Sequence, residues 1–270
     1  MLKDITIGQY FPGASPVHKL DPRMKLVITV AYVVMLFVAS SPWALALSAA
    51  FVTCVYPMAR IPLSMILRSL KPILPIILFT AILNMLFADG DILWKWWIIE
   101  ITDKGVATAI FMGSRIVCLI AGTSLLTYTT SPIALTDGIE QLFGPLKRIK
   151  VPVHEISMMM TIALRFIPTL IEETDKIMAA QKGRGADMES GNLLQRVKAL
   201  IPILIPLFVS AFRRAEELAL AMECRCYHGG EGRTRMTQLH MGGVDVVGAA
   251  LMTVAFAAVI AANILLPGAL

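Results

Sequence analysis

The chain has 270 residues, of which 57% are hydrophobic and only 16% charged, with a mean hydropathy of +0.72. Soluble domains are typically about 45–50% apolar and about 25% charged, so the composition excludes an ordinary soluble protein and points to one that partners a lipid bilayer. A net charge of +5 in such a chain marks cytoplasmic loops, and no basic–aromatic alternation suggests a nucleic-acid partner.

The first 23 residues place Lys3, Asp4, Lys19, Asp21 and Arg23 around Pro12, Gly13 and Pro16. They lack a continuous apolar core, so no cleavable signal peptide is expected. A spanning helix needs about 20 mostly apolar residues, and five regions meet that pattern: 25–41, 43–59, 72–88, 106–128 and 244–266. The first two are short for a full crossing and are separated by a Ser40-Ser41-Pro42 turn.

Lys19, Arg23 and Lys25 precede the first span, and Arg60, Arg68 and Lys71 lie between the second and third. Between the third and fourth lie Asp89, Asp91, Glu100 and Asp103, against Lys95 and Lys104 alone. The positive-inside rule therefore predicts a cytoplasmic N-terminus, with Trp94, Trp96 and Trp97 at the outer interface and the last span carrying the C-terminus outside.

Residues 131–243 hold 14 of the 24 Lys/Arg and 12 of the 19 Asp/Glu. The pattern predicts two long amphipathic helices there. One covers 154–180, and the other covers 193–222, bent or broken near Pro202 and Pro206. Gly183-Arg184-Gly185 and Gly229-Gly230 are expected to end them. The nearly apolar run 197–212 is expected to dip into the membrane or pack under the spans.

A short motif occurs twice in this region. The eleven residues from Asp175 to Gly185 align without a gap on those from Glu216 to Cys226. In each copy an acid stands nine residues before an arginine, Arg184 or Arg225, and an alanine stands four before it. Small residues flank both arginines: Gly183 and Gly185 in one copy, Cys224 and Cys226 in the other. Arginine presents a planar fork of donors suited to a carboxylate, and small neighbours let it enter a groove on a partner. A lone cation at a helix C-terminus also suits the helix dipole, worth about 0.3–1 kcal/mol. Two matched copies favour the gripping role.

The chain resembles the T-components, the EcfT/CbiQ-like transmembrane proteins of energy-coupling factor ABC transporters. The resemblance rests on Leu20-Asp21-Pro22-Arg23-Met24-Lys25, on the two small-Arg-small motifs and on the order of spans. The family pattern is often Ala-Arg-Gly; here Gly183 and Cys224 replace the alanines, and Cys226 replaces the second glycine. The resemblance implies that Arg184 and Arg225 tip coupling helices that insert into two cytoplasmic ABC ATPase subunits. It also implies a separate substrate-binding membrane S-component for a vitamin or transition-metal ion. Contact with that subunit is expected at Met158, Met159, Met160, Phe208 and Phe212, since methionine adapts its shape to a partner that docks and releases.

Other motifs carry less. Cys224-Arg-Cys226-Tyr-His228 has soft ligands but no second cluster to complete a metal site. His154-Glu155 begins a zinc-protease motif that fails at Met158. Asp89-Gly-Asp91 reads as a solvated turn. Cys54 and Cys118 lie inside spans, and the four cysteines form no disulfide framework. Arg115, inside the fourth span, is expected to make a structural ion pair with a carboxylate of the amphipathic helices, or to bond a helix backbone.

The expectation is an all-α polytopic membrane bundle of the bacterial or archaeal plasma membrane. It comprises an N-terminal transmembrane region (1–130), a cytoplasmic coupling-helix region (131–243) and a C-terminal transmembrane helix (244–270). It is expected to be a non-catalytic coupling subunit without cofactor or metal. The alternative, a membrane enzyme acting on lipid-linked substrates, would need a polar catalytic cluster at one membrane depth, and the sequence offers none.

Overall fold

The computed structural model describes residues 10–87, 92–96, 99–185, 193–229 and 239–266. In chain order the elements are α1 (Pro16–Lys19), α2 (Pro22–Val38), α3 (Pro42–Ala59), α4 (Leu63–Leu70) and α5 (Leu74–Phe87). A short hairpin of β1 (Ile92–Trp96) and β2 (Ile99–Thr102) follows. Then come α6 (Asp103–Thr129), α7 (Pro132–Leu142), a 3-10 turn (Gly144–Ile149), α8 (Val153–Gly183), α9 (Leu193–Glu223) and α10 (Gly243–Leu265). The architecture is all-α apart from the antiparallel hairpin, which pairs Lys95 with Glu100 and Trp96 with Ile99. Lys3, Asp4, Asp89, Gly90, Asp91, Trp97 and Gly230 lie outside the described residues.

The chain forms two compact units, one drawn from Gly8–Gly138 with Gln238–Leu270 and the other from Ile139–Thr237. In the first, α3, α6 and α10 are long and apolar enough to cross a bilayer. The pair α4–α5 counts as a fourth span when taken together, bent by 57°. The break falls at Lys71-Pro72-Ile73, where proline clashes with a continuing helix. The expected loop around Arg68 is therefore helix, and α5 alone, at 14 residues, is about 21 Å long. The expected first span is α2, whose 17 residues reach about 25 Å, the short end of what crosses.

Four of these helices start by one device, a polar cap followed by proline. Ser15 accepts the His18 N–H, Asp21 the Arg23 N–H, Ser41 the Ala44 N–H and Ser131 the Ala134 N–H. Proline at the first helical position lacks only a donor that the helix would leave unpaired.

Within the bundle, α6 is the central element. Its neighbours meet it through tyrosines, whose hydroxyls need partners in an apolar interior. Tyr32 of α2 shares its hydroxyl between the carbonyls of Ser48 and Cys118, each at 3.4 Å. Tyr56 of α3 donates to Ala121 at 2.8 Å, and Tyr128 of α6 to Met65 at 3.0 Å. Gly122 makes the α2 approach possible, because a Cβ there would lie 2.3 Å from the Tyr32 ring.

The Asp-Pro-Arg segment has a structural task. Asp21 and Asp245 are both buried, and Asp245 Oδ1 accepts the Asp21 N–H at 2.7 Å. The other Asp245 oxygen accepts the Gly242 N–H at the start of α10, also at 2.7 Å. Arg23 reaches the Leu239 carbonyl, and the buried Lys25 donates to the carbonyls of His18 and Thr129. Those two carbonyls lie at the C-terminal ends of α1 and α6, where a cation suits the dipole. One polar knot thus joins the starts of α2 and α10 to the ends of α1 and α6.

Arg115 resolves an expectation. Its guanidinium donates to the Ala39 carbonyl at the C-terminus of α2 and lies 4.7 Å from the Phe111 ring centroid. Its partner is a helix end rather than a carboxylate. Nearby, Asn263 of α10 accepts the N–H groups of Ser40 and Ser41 and donates to the Val38 carbonyl. The backbone of the α2–α3 turn is thereby satisfied by a side chain of α10.

Candidate functional site

The second unit is built on α8 and α9, each 31 residues long. A hydrogen bond of 2.9 Å between His154 Nδ1 and Glu140 Oε1 holds the first turn of α8, so the histidine of the failed protease motif has a structural partner. The helix α9 is not broken at its prolines. Pro206 has no N–H to give the Pro202 carbonyl, and Gln181 of α8 donates to that carbonyl instead, at 3.4 Å.

The two helices lie antiparallel. Gln181 meets Pro202, Glu173 meets Ser210 and Arg214, and Arg214 sits 5.7 Å from the Phe166 ring centroid. On this alignment Arg184 stands level with the first third of α9. Arg225 is then roughly 26 residues further along that helix, or about 40 Å away. Antiparallel pairing therefore sends the two arginines to opposite ends of the hairpin.

Both motifs are helix C-caps of one kind. Arg184 follows the last residue of α8, and the next residue, Gly185, is left-handed with φ 86°. Its N–H bonds the Lys182 carbonyl at 3.0 Å. In the second copy Cys226 takes the same place, with φ 55°. Its N–H bonds the Glu223 carbonyl at 2.8 Å, and the Tyr227 N–H bonds the Met222 carbonyl at 3.1 Å. This is the Schellman pattern. The left-handed turn favours glycine after the arginine, as at Gly185, but does not by itself require a small residue, since Arg60 and Lys150 also adopt a left-handed φ. Cys226, six residues after Leu220, ends α9; Gly229, also left-handed at φ 96°, comes too late to do so.

The left-handed cysteine carries strain of about 1–2 kcal/mol that glycine would not. Cys226→Gly is therefore expected to raise stability by about 1 kcal/mol, and Gly185→Val to lower it by a similar amount or more. Thermal unfolding in detergent, with amide exchange at the two caps, measures both.

Arg184 and Arg225 are exposed, and neither guanidinium pairs with a described side chain. Gly183 and Cys224 beside them are exposed too. His228 turns its Nδ1 back to the Cys226 carbonyl at 2.8 Å. Cys224 and Cys226 are both free thiols.

The apolar candidates fall in two places. Met158 is half-buried in the second turn of α8, whereas Met159 and Met160 are exposed. Phe208 and Phe212 are exposed at 59% and 67% and continue a stripe with Ile201 and Ile205. That stripe has the spacing of one helix face, while Ile203, buried, belongs to the opposite one. The nearly apolar run 197–212 therefore has one face on α8 and one left open. Asp245 is the structural residue that motif reading missed. The signal was present: an acid three residues after Gly242, at the first turn of a span.

Residues 13–236 match the family described as CbiQ, cobalt transport protein. The "Energy-coupling factor transporter transmembrane protein EcfT" of Ruminiclostridium cellulolyticum is 55% identical over 247 residues, 92% of each chain. The protein of that name from Acidaminococcus fermentans is 52% identical over 95% of this chain and 96% of its own. The one from Bacillus subtilis is 50% identical over 91% and 93%. With a matching family over most of its length and near-full-length relatives at half identity or better, the chain belongs to the CbiQ family, as a T-component, the transmembrane protein of energy-coupling factor transporters.

Proposed function

We propose that this chain is the coupling subunit of an ATP-driven importer in the plasma membrane. Two cytoplasmic ABC ATPase subunits each seat one arginine, Arg184 in the first and Arg225 in the second. ATP hydrolysis takes place in those partners. Their closing and reopening moves the tips of α8 and α9. Apolar surfaces at Met158–Met160 and Phe208–Phe212 then reposition a substrate-binding membrane S-component carrying a vitamin or transition-metal ion. On this reading residues 1–130 and 244–270 form the multi-pass membrane part, and 131–243 the cytoplasmic coupling region.

The observation that carries the reading is the repetition of one cap. Two exposed arginines, each followed by a left-handed residue, end two helices of equal length. A dipole contribution needs only a cation near the helix end. It does not need the same turn twice, at two ends about 40 Å apart.

Cys224 and Cys226, exposed beside Arg225, give a direct test. In a chain carrying Cys54→Ser and Cys118→Ala, a maleimide reagent is expected to label both thiols in the isolated protein. Adding the two ATPases is expected to protect them. Equal labelling with and without the ATPases would rule out this seat.

A further inference from the structure

The seam between α8 and α9 is nearly blind to register on its apolar side. Ala211, Ala215 and Ala219 recur every four residues along α9 and, with Leu218 and Met222, line a cleft with Phe166 and Leu170 of α8. Sliding one helix by a turn, about 5.4 Å, replaces alanine by alanine and exchanges Leu218 with Met222, residues of similar volume, and so costs little packing. A polar contact does not tolerate that slip. Glu173 is the carboxylate at this seam: one oxygen accepts from Ser210 and the other from Arg214 at 3.1 Å. Ser210 and Arg214 are themselves one turn apart, so they grip both oxygens of a single side chain. Both ends of the ion pair are three-quarters buried or nearly so, with 24% and 29% of their side chains exposed. Arg214 is further held over Phe166.

We infer that Glu173 is a positioning residue that locks the register of α8 against α9, and thereby fixes the spacing of Arg184 and Arg225. Single polar groups in apolar helix seams are best attested in this role, setting register where apolar contacts cannot. Because the tips sit at opposite ends of an antiparallel pair, each turn of slip changes their separation by about 5.4 Å. The inference rests on the coupling reading for its effect on transport, but its structural half stands apart from it.

The test uses Glu173→Gln, which keeps shape and the Ser210 contact and loses the charge facing Arg214, together with the swap Glu173→Arg/Arg214→Glu. Spin labels are placed through Lys182→Cys and Glu223→Cys in a chain whose native cysteines are replaced by alanine, or by glycine at 226. In nanodiscs, Glu173→Gln is expected to broaden the distance distribution between the labels or add a second population, and the swap to restore a narrow one. An unchanged distribution would overturn the lock. In the assembled transporter, ATP hydrolysis is expected to persist while uptake per ATP falls about tenfold, recovering with the swap. A broadened distribution with unchanged uptake per ATP would overturn the link to transport. Failure of the arginine seats themselves leaves the distance measurement in the isolated chain unaffected, so the two ideas fall separately.

Discussion

Replacing Arg184 and Arg225 together by glutamate is expected to abolish coupled uptake and to release the chain from its ATPases on co-purification. Each guanidinium stands exposed at a helix end with no described side-chain partner, so its fork of donors is free for an acceptor on another subunit. Removing one member of a desolvated charge pair at an interface commonly costs about 2–5 kcal/mol. Reversal adds repulsion to that loss. Each single glutamate variant is therefore expected to weaken assembly by about 30-fold or more, and the double variant to leave none measurable. Lys176→Glu supplies the control, with the same change of charge on an exposed position in the body of α8. Were the double variant to assemble and transport as the parent does, the proposed seats would be lost.

Asp245→Ala is expected to destabilise the membrane bundle by about 3 kcal/mol, because it strands the buried Asp21 N–H, at roughly 1–3 kcal/mol, and uncaps the exposed Gly242 N–H at the start of α10, at roughly 0.5–2 kcal/mol. Those donors are Asp21 N and Gly242 N, each 2.7 Å from one carboxylate oxygen. The loss also removes an anion from a knot that holds Lys25 and Arg23. Asparagine is expected to recover only part of it, since its amide offers one acceptor where the site uses two. For a unit of this size the usual scaling puts the drop in melting temperature at roughly 6–12 °C. Melting in detergent, with Asp245→Asn and Asp245→Ala side by side, checks both the size and the order. Equal stability of all three proteins would show that the knot contributes nothing.

The helices were the legible part, and for a simple reason. Apolar length is written in the sequence, so the expected spans at 43–59, 106–128 and 244–266 match α3, α6 and α10 to within about three residues. The spans at 25–41 and 72–88 were harder. A Pro22 start shifts α2 three residues earlier, and α5 matches 72–88 to within two residues but follows, across Pro72 and a 57° bend, a helix α4 in the expected loop. Hydropathy averages over windows and does not see a single proline. The β1–β2 hairpin escaped for a related reason: two four- or five-residue strands carry too little pattern to separate from an interfacial loop.

The candidate site was legible as a motif and illegible as geometry. The repeat around Arg184 and Arg225 could be read directly, but its small residues were assigned to a partner's groove. The φ values at Gly185 and Cys226 add a local role that the motif did not show, since each residue closes its helix in a left-handed turn. For Arg115 the sequence leaves open a carboxylate or a helix backbone, and the fold supplies the latter, the Ala39 carbonyl at the end of α2. A sequence shows that a buried cation needs a partner, not which of several acceptors the fold delivers.

The sequence by itself determined the solvent, the helical class, the family and the repeated arginine motif, because composition, apolar length and local repeats depend on neighbours along the chain. Only the tertiary structure decided that Asp21 meets Asp245 across 224 positions, that Glu173 bridges to Ser210 and Arg214, and that α8 and α9 run antiparallel. Each depends on which helix faces lie together, and that is set by packing and by the need to satisfy buried polar groups throughout the fold.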